Sequence, residues 1–186
     1  LMEAQRFPND FDGIVAGAPA FAYQALNAAG IWNLQRIFRN NLAGNLAVDT
    51  NSDGSFDSLK LIDVLHEQVL GKCDANDGIT DGVINNPLAC DFDPSRDLND
   101  LMCPAGTSTD ECFSEAQLQT TIDLYTGPVD DDGNSVYPGK ALGSEPQWAR
   151  YYVPYNGNNM GPSKLVGVAG DHMNYLFYEQ DPGRTI

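Results

Sequence analysis

Cys73, Cys90, Cys103 and Cys112 all fall between residues 73 and 113, in a stretch dominated by Asp, Asn, Gly and Pro. Such a stretch has too few apolar side chains to order itself around a core. Cross-links or a bound ion must do so instead. The cysteines form two short-range pairs, neither with C-x-x-C spacing, and the chain has only 2 histidines, which argues against zinc. The pairing Cys73–Cys90 and Cys103–Cys112 closes two short loops, each bridge stabilising by about 3 kcal/mol or somewhat less. Four buried free thiols are the alternative. Bridges point to an oxidising compartment, so the chain is expected to be secreted or periplasmic.

The same segment contains "CDANDGITDGVI", Cys73 to Ile84. Calcium takes six to eight oxygens from carboxylates and carbonyls on a loop that can curl around it. Asp74, Asp77 and Asp81 offer carboxylates, and the carbonyls of Ile79 and Val83 fill the gaps between them. Gly78 and Gly82 permit the curl. Two consecutive Asp-Gly turns explain the same residues without a metal. A second acidic stretch, "DTNSDGSFD", places Asp49, Asn51, Asp53, Gly54 and Asp57 at EF-hand positions, but Lys60 stands where the closing glutamate belongs. An Asx-rich turn leading into a helix is the preferred reading there.

The 186 residues suffice for one domain with a core, and 42% are apolar. Apolar spacing predicts helices over 21–43, with Leu26, Ile31, Leu34 and Phe38 on one face, and over 57–72, with Leu59, Ile62, Leu65 and Val69. A third opens at Ser114, whose capping box with Gln117 precedes a stripe of Leu118, Ile122 and Tyr125, and Gly127-Pro128 ends it. Residues 1–7 have helical composition up to Pro8, and "FDGIVAGAP" reads as a buried strand centred on Ile14 and Val15. Residues 164–182 read as a short strand followed by a helix. Leu1 begins inside a helix with no basic stretch before it, and both ends look cut from a longer chain. The net charge of −16, from 26 acidic and 10 basic residues, opposes binding to nucleic acid or to a membrane surface. No apolar run is long enough to span a bilayer.

Catalytic motifs are absent: there is no G-x-S-x-G elbow, Walker loop or G-x-G-x-x-G. His66 lacks the second histidine of H-E-x-x-H and is expected on a helix surface. His172, beside Asp171, is expected in a loop. Trp148, Arg150 and Tyr151, with Tyr152 and Tyr155, form an aromatic cluster with one cation, suited to a phenolic or sugar ligand or to packing of an irregular segment.

Four stretches in order resemble the tannase and feruloyl esterase family of α/β-hydrolases: "LMEAQRFPNDFDGIVAGAPA", "CDANDGITDGVINNPLACDFDP", "CFSEAQLQTTIDLYTGP" and "YPGKALGSEPQWA", with a weaker match at "YLFYEQDP". The resemblance implies an α/β-hydrolase fragment. Residues 1–20 would be the end of a core helix and a strand. Residues 21–186 would be a mostly helical, loop-rich lid domain with few short strands, stabilised by disulfides and calcium. The implied calcium ligands are Asp74, Asp77 and Asp81 by side chain and Ile79 and Val83 by carbonyl. The implied activity is hydrolysis of feruloyl, galloyl or related small aromatic esters by a secreted serine esterase. Its serine would precede Leu1, and its Asp and His would follow Ile186, so no catalytic residue is expected within the chain. The alternative is a non-catalytic, calcium-stabilised extracellular binding module.

Overall fold

Helices dominate the computed structural model, which describes residues 2–17, 20, 22–156, 170–172 and 175. They are α1 (Met2–Arg6), α2 (Tyr23–Leu42), α3 (Lys60–Cys73), α4 (Pro94–Asp97), α5 (Glu115–Thr126) and α6 (Trp148–Tyr151). Single 3-10 turns lie at Asp74–Asp77, Pro87–Ala89, Asn99–Leu101 and Glu145–Gln147. The strand-then-helix expected over 164–182 lies mostly outside the described residues.

Pairing between extended segments is limited, among the described residues, to isolated bridges: Val48 with Ser58, Met102 with Phe113 and Val129 with Ser135. The few short strands expected take the form of these bridges among the described residues. The strand expected at "FDGIVAGAP" does not form over residues 11–17, and Ile14 and Val15 are exposed. A strand exists through its ladder to a neighbour, and no described segment pairs with this one.

α3 follows its periodicity: Leu61, Ile62, Leu65, Val69 and Cys73 are buried along it. The first four join Ile37, Leu46, Val48, Leu98, Phe113, Leu124, Trp148 and Val153 in a single core. α2 departs from expectation. Its buried positions are Ala29, Asn33, Leu34 and Ile37, whereas Phe38 is 43% exposed and Leu26 and Ile31 are only half-buried. The helix is rolled so that Arg36 and Arg39 reach Asp123 on α5. Its last turn then breaks at Asn40 and Asn41, both left-handed (φ 51° and 55°), a conformation asparagine tolerates better than most residues.

α5 starts as predicted. Ser114 Oγ accepts the Gln117 N–H (3.3 Å) and Gln117 Oε1 accepts the Ser114 N–H (2.9 Å). Its inner face is more polar than the apolar pattern suggests: Gln117, Thr120, Thr121 and Leu124 are buried, and Leu118, Ile122 and Tyr125 only partly so. The reason is the neighbouring backbone. Gln117 Nε2 donates to the Asn45 carbonyl (2.9 Å) and Thr120 Oγ1 to that of Arg36 (3.4 Å), so buried carbonyls from residues 36–45 select polar partners.

Beyond α5 the chain doubles back tightly. A Cβ on Gly139 would lie 1.8 Å from the Tyr125 carbonyl oxygen, and one on Gly127 (φ +76°) 2.6 Å from the Gly139 nitrogen. The two glycines allow this backbone crossing, and the Lys140 N–H then donates to the Leu124 carbonyl (2.8 Å). The crossing carries residues 140–148 back over the core, where the Glu145–Gln147 turn lies against α3.

Candidate functional site

Both predicted disulfides are present, Cys73–Cys90 and Cys103–Cys112, and no cysteine is free. Cys73 ends α3 and is buried, so the first bridge ties the aspartate loop to the core. Within that loop Asp74 is buried, and its carboxylate accepts the N–H groups of Asp81 (3.3 Å) and Gly82 (3.1 and 3.2 Å). Asp77 accepts the Ile79 N–H (2.9 Å) and the Asn85 side-chain amide. The Asn85 amide foremost, and then that N–H, hold its carboxyl below the usual carboxylate range. Asp81 accepts the Val83 N–H (3.1 Å). Gly78 and Gly82 take φ of +91° and +79°, the curl the sequence suggested.

The loop therefore closes on its own N–H groups. Among the described residues no three His, Cys, Asp or Glu side chains converge as a metal-binding group. As arranged here, the carboxylates of Asp74, Asp77 and Asp81 are each engaged with N–H groups of the loop. The EF-like stretch is likewise a set of Asx turns. Asp49 accepts the Asp53 and Gly54 N–H groups, Asp53 that of Ser55, and Asp57 the Thr50 N–H and hydroxyl.

The aromatic cluster is divided. Trp148 is buried in the core, edge-on to Tyr125 (5.1 Å between centroids), and its Nε1–H donates to Ser144 Oγ (3.1 Å). Its ring is committed to packing. Arg150 and Tyr151 are exposed, with the guanidinium 5.5 Å from the Tyr151 centroid. The neighbouring Tyr152 ring lies 6.3 Å from that of Tyr151. Separately, a groove of about 670 Å³ runs between residues 102–108 and the start of α5. Of the residues singled out from sequence, Cys103 and the N-cap Ser114 line it.

The most concentrated polar constellation was not read from the sequence. Glu145 is completely buried, and its carboxylate accepts the Tyr125 hydroxyl (2.7 Å) and the Gly143 N–H (2.8 Å). Its other oxygen lies 2.7 Å from His66 Nδ1. His66 is thus not a plain helix-surface residue: its side chain is only 22% exposed. Burial, and next the Glu145 charge, push the Tyr125 hydroxyl well above the usual phenol range, so it remains a proton donor. The available signal was position. His66 falls four residues after Ile62 and three before Val69, on the buried face of α3. His172 is also buried, with its ring edge-on to Tyr23 at 5.2 Å.

Comparison with known proteins gives these elements their context. A sequence profile described as tannase and feruloyl esterase matches residues 1–174. A probable feruloyl esterase B-1 of Aspergillus flavus is 31% identical over 175 residues, which is 94% of this chain and 29% of that protein. A mono(2-hydroxyethyl) terephthalate hydrolase of Piscinibacter sakaiensis is 34% identical over 150 residues, 74% of this chain and 24% of that protein. Among solved structures, feruloyl esterase B from Aspergillus oryzae superposes with a TM-score of 0.71 at 25% identity, over 98% of this chain and 32% of that one. The chain thus spans under a third of the length of these relatives. Among the described residues no helix is long and apolar enough to cross a membrane.

Proposed function

The chain belongs to the tannase and feruloyl esterase family, and from that premise we propose that it is the lid-bearing portion of a secreted serine esterase acting on small aromatic esters. The observation that carries this reading is the family match over residues 1–174, with relatives named as ester hydrolases. In this reading residues 1–20 belong to the hydrolase core and residues 21–186 form the lid. The nucleophilic serine, the histidine that takes its proton and the orienting aspartate lie elsewhere in the full-length protein. The chain's own residues contribute a disulfide-tied frame and a surface that meets the substrate's aromatic group. Arg150 and Tyr151 are the exposed candidates for that contact, and Trp148 supports them from the core. The two disulfides suit a secreted or periplasmic protein.

The experiment is turnover of methyl ferulate and methyl gallate. The full-length protein is expected to hydrolyse at least one of them, and residues 1–186 alone neither. A full-length protein inert on aromatic esters, or a fragment that turns them over, defeats the reading.

We also propose that the loop Asp74–Val83 binds calcium, with Asp74, Asp77 and Asp81 as carboxylate ligands and Ile79 and Val83 as carbonyl ligands. The support is the resemblance of "CDANDGITDGV" and its flanking cysteines to the family's calcium loop, together with the positive-φ glycines. Binding would require Asp77 and Asp81 to give up contacts they make in this structure. A ligand held only by the folded state raises its melting temperature, here by on the order of 5 °C at saturating metal. Chelation of the calcium-loaded full-length protein should remove that increment, and Asp77→Asn/Asp81→Asn should abolish the response. An unchanged melting curve after chelation would leave the loop as a pair of Asp-Gly turns.

A further inference from the structure

Five of the eight described lysines and arginines are ion-paired with a carboxylate. Arg36 and Arg39 reach Asp123, Lys60 reaches Glu111, Lys72 reaches Asp97, and Arg96 reaches Asp91 and Asp97. With 26 acidic residues against 10 basic, a carboxylate near every cation is the expectation. Lys140 and Arg150 have none within 4.0 Å among the described residues, a property shared there only with Arg6 on the short α1.

Both rest on aromatic rings instead. Lys140 Nζ donates to the Tyr152 hydroxyl (2.7 Å) and lies 4.1 Å from that ring's centroid. The Arg150 guanidinium is 5.5 Å from the Tyr151 centroid, and the two tyrosine rings are 6.3 Å apart, tilted by 56°. Lys140, Tyr152, Tyr151 and Arg150 thus form a continuous row with a cation at each end. Tyr151 and Arg150 are exposed, and Lys140 and Tyr152 are half-buried. A ring quadrupole attracts a cation but supplies no counter-charge, so each cation retains the capacity to take an anion.

We propose that this row recognises an aromatic carboxylate, its ring lying on the tyrosines and its carboxylate meeting Arg150 or Lys140. The inference rests on the esterase reading above and adds to it a ligand class. Hydrolysis of an aromatic ester releases an aromatic acid, ionised at neutral pH, and this row would retain that product. A chain of net charge −16 repels such an anion at long range, so retention needs cations placed at the contact. An arginine can take a carboxylate through two parallel hydrogen bonds.

The test is titration calorimetry of the full-length protein with ferulate and, separately, its neutral amide. Ferulate is expected to bind about tenfold more tightly than the amide, with an affinity that falls as salt is added. Arg150→Gln and Lys140→Met should each weaken ferulate several-fold and the amide less, so that the preference for ferulate shrinks. Should Lys140→Met fail to fold, the exposed Arg150→Gln carries the comparison alone. Equal affinity for the two ligands, no binding of either, or a preference that survives the substitutions overturns the proposal. Binding is read without turnover, so the two readings fail separately. An active esterase with no preference for ferulate defeats this inference only. An inactive protein that keeps the preference defeats the esterase reading only.

Discussion

Glu145→Ala is expected to destabilise the fold by about 3–5 kcal/mol, the usual cost of breaking a buried charged network by removing one partner. Glu145 has no solvent exposure, and three groups from three parts of the chain converge on it. Its loss leaves the Tyr125 hydroxyl and the Gly143 N–H without an acceptor in the interior and His66 without its carboxylate. Because His66 sits on α3 and Tyr125 on α5, the substitution unties both helices from the segment that crosses them. The local readout is amide hydrogen exchange in the full-length protein, where protection across α3 and α5 should fall more than a hundredfold. Glu145→Gln keeps an acceptor for Tyr125 and should cost less, about 1–2 kcal/mol. If Glu145→Ala leaves α3 and α5 as protected as the parent, the network is not what fastens the crossing segment.

Gly139→Ala should be nearly as damaging, by about 3 kcal/mol, through a different cause. The added methyl would stand 1.8 Å from the Tyr125 carbonyl oxygen and 2.9 Å from the Gly127 nitrogen. Those are backbone atoms, so no side-chain rotation relieves the contact. The chain after α5 would have to move outward, weakening the bond from the Lys140 N–H to the Leu124 carbonyl. Gly71→Ala is the matched control. It lies within α3 with nothing near its would-be Cβ, and it should be neutral or stabilise by up to about 1 kcal/mol through helix propensity. Thermal unfolding of the two variants side by side tests the contrast. Equal melting temperatures would show that the crossing is looser than this geometry requires.

Much of this architecture is legible in the chain because it is local. The α3 stripe, the Ser114–Gln117 capping box and the stop at Gly127 depend on neighbours three or four residues apart. Both bridges followed from short cysteine spacings, and the family resemblance from ordered motifs. What failed is non-local. Ile14 and Val15 have the composition of a strand, but composition does not supply the partner that makes one. Phe38 looked like a core residue until α2 rolled to aim Arg36 and Arg39 at Asp123, eighty-odd positions away.

The candidate site divides along the same line. The sequence by itself determined which residue types were available: aspartates and glycines on a bridged loop, tyrosines and an arginine after a turn, and a net charge of −16 that opposes polyanionic partners. Tertiary structure alone decided that Trp148 is core, that Glu145 is buried between His66 and Tyr125, and that Lys140 and Arg150 rest on rings with no described carboxylate nearby. Whether a charge is buried, paired or left for a ligand depends on which distant segments the fold brings alongside it, and the spacing of neighbours along the chain does not record that.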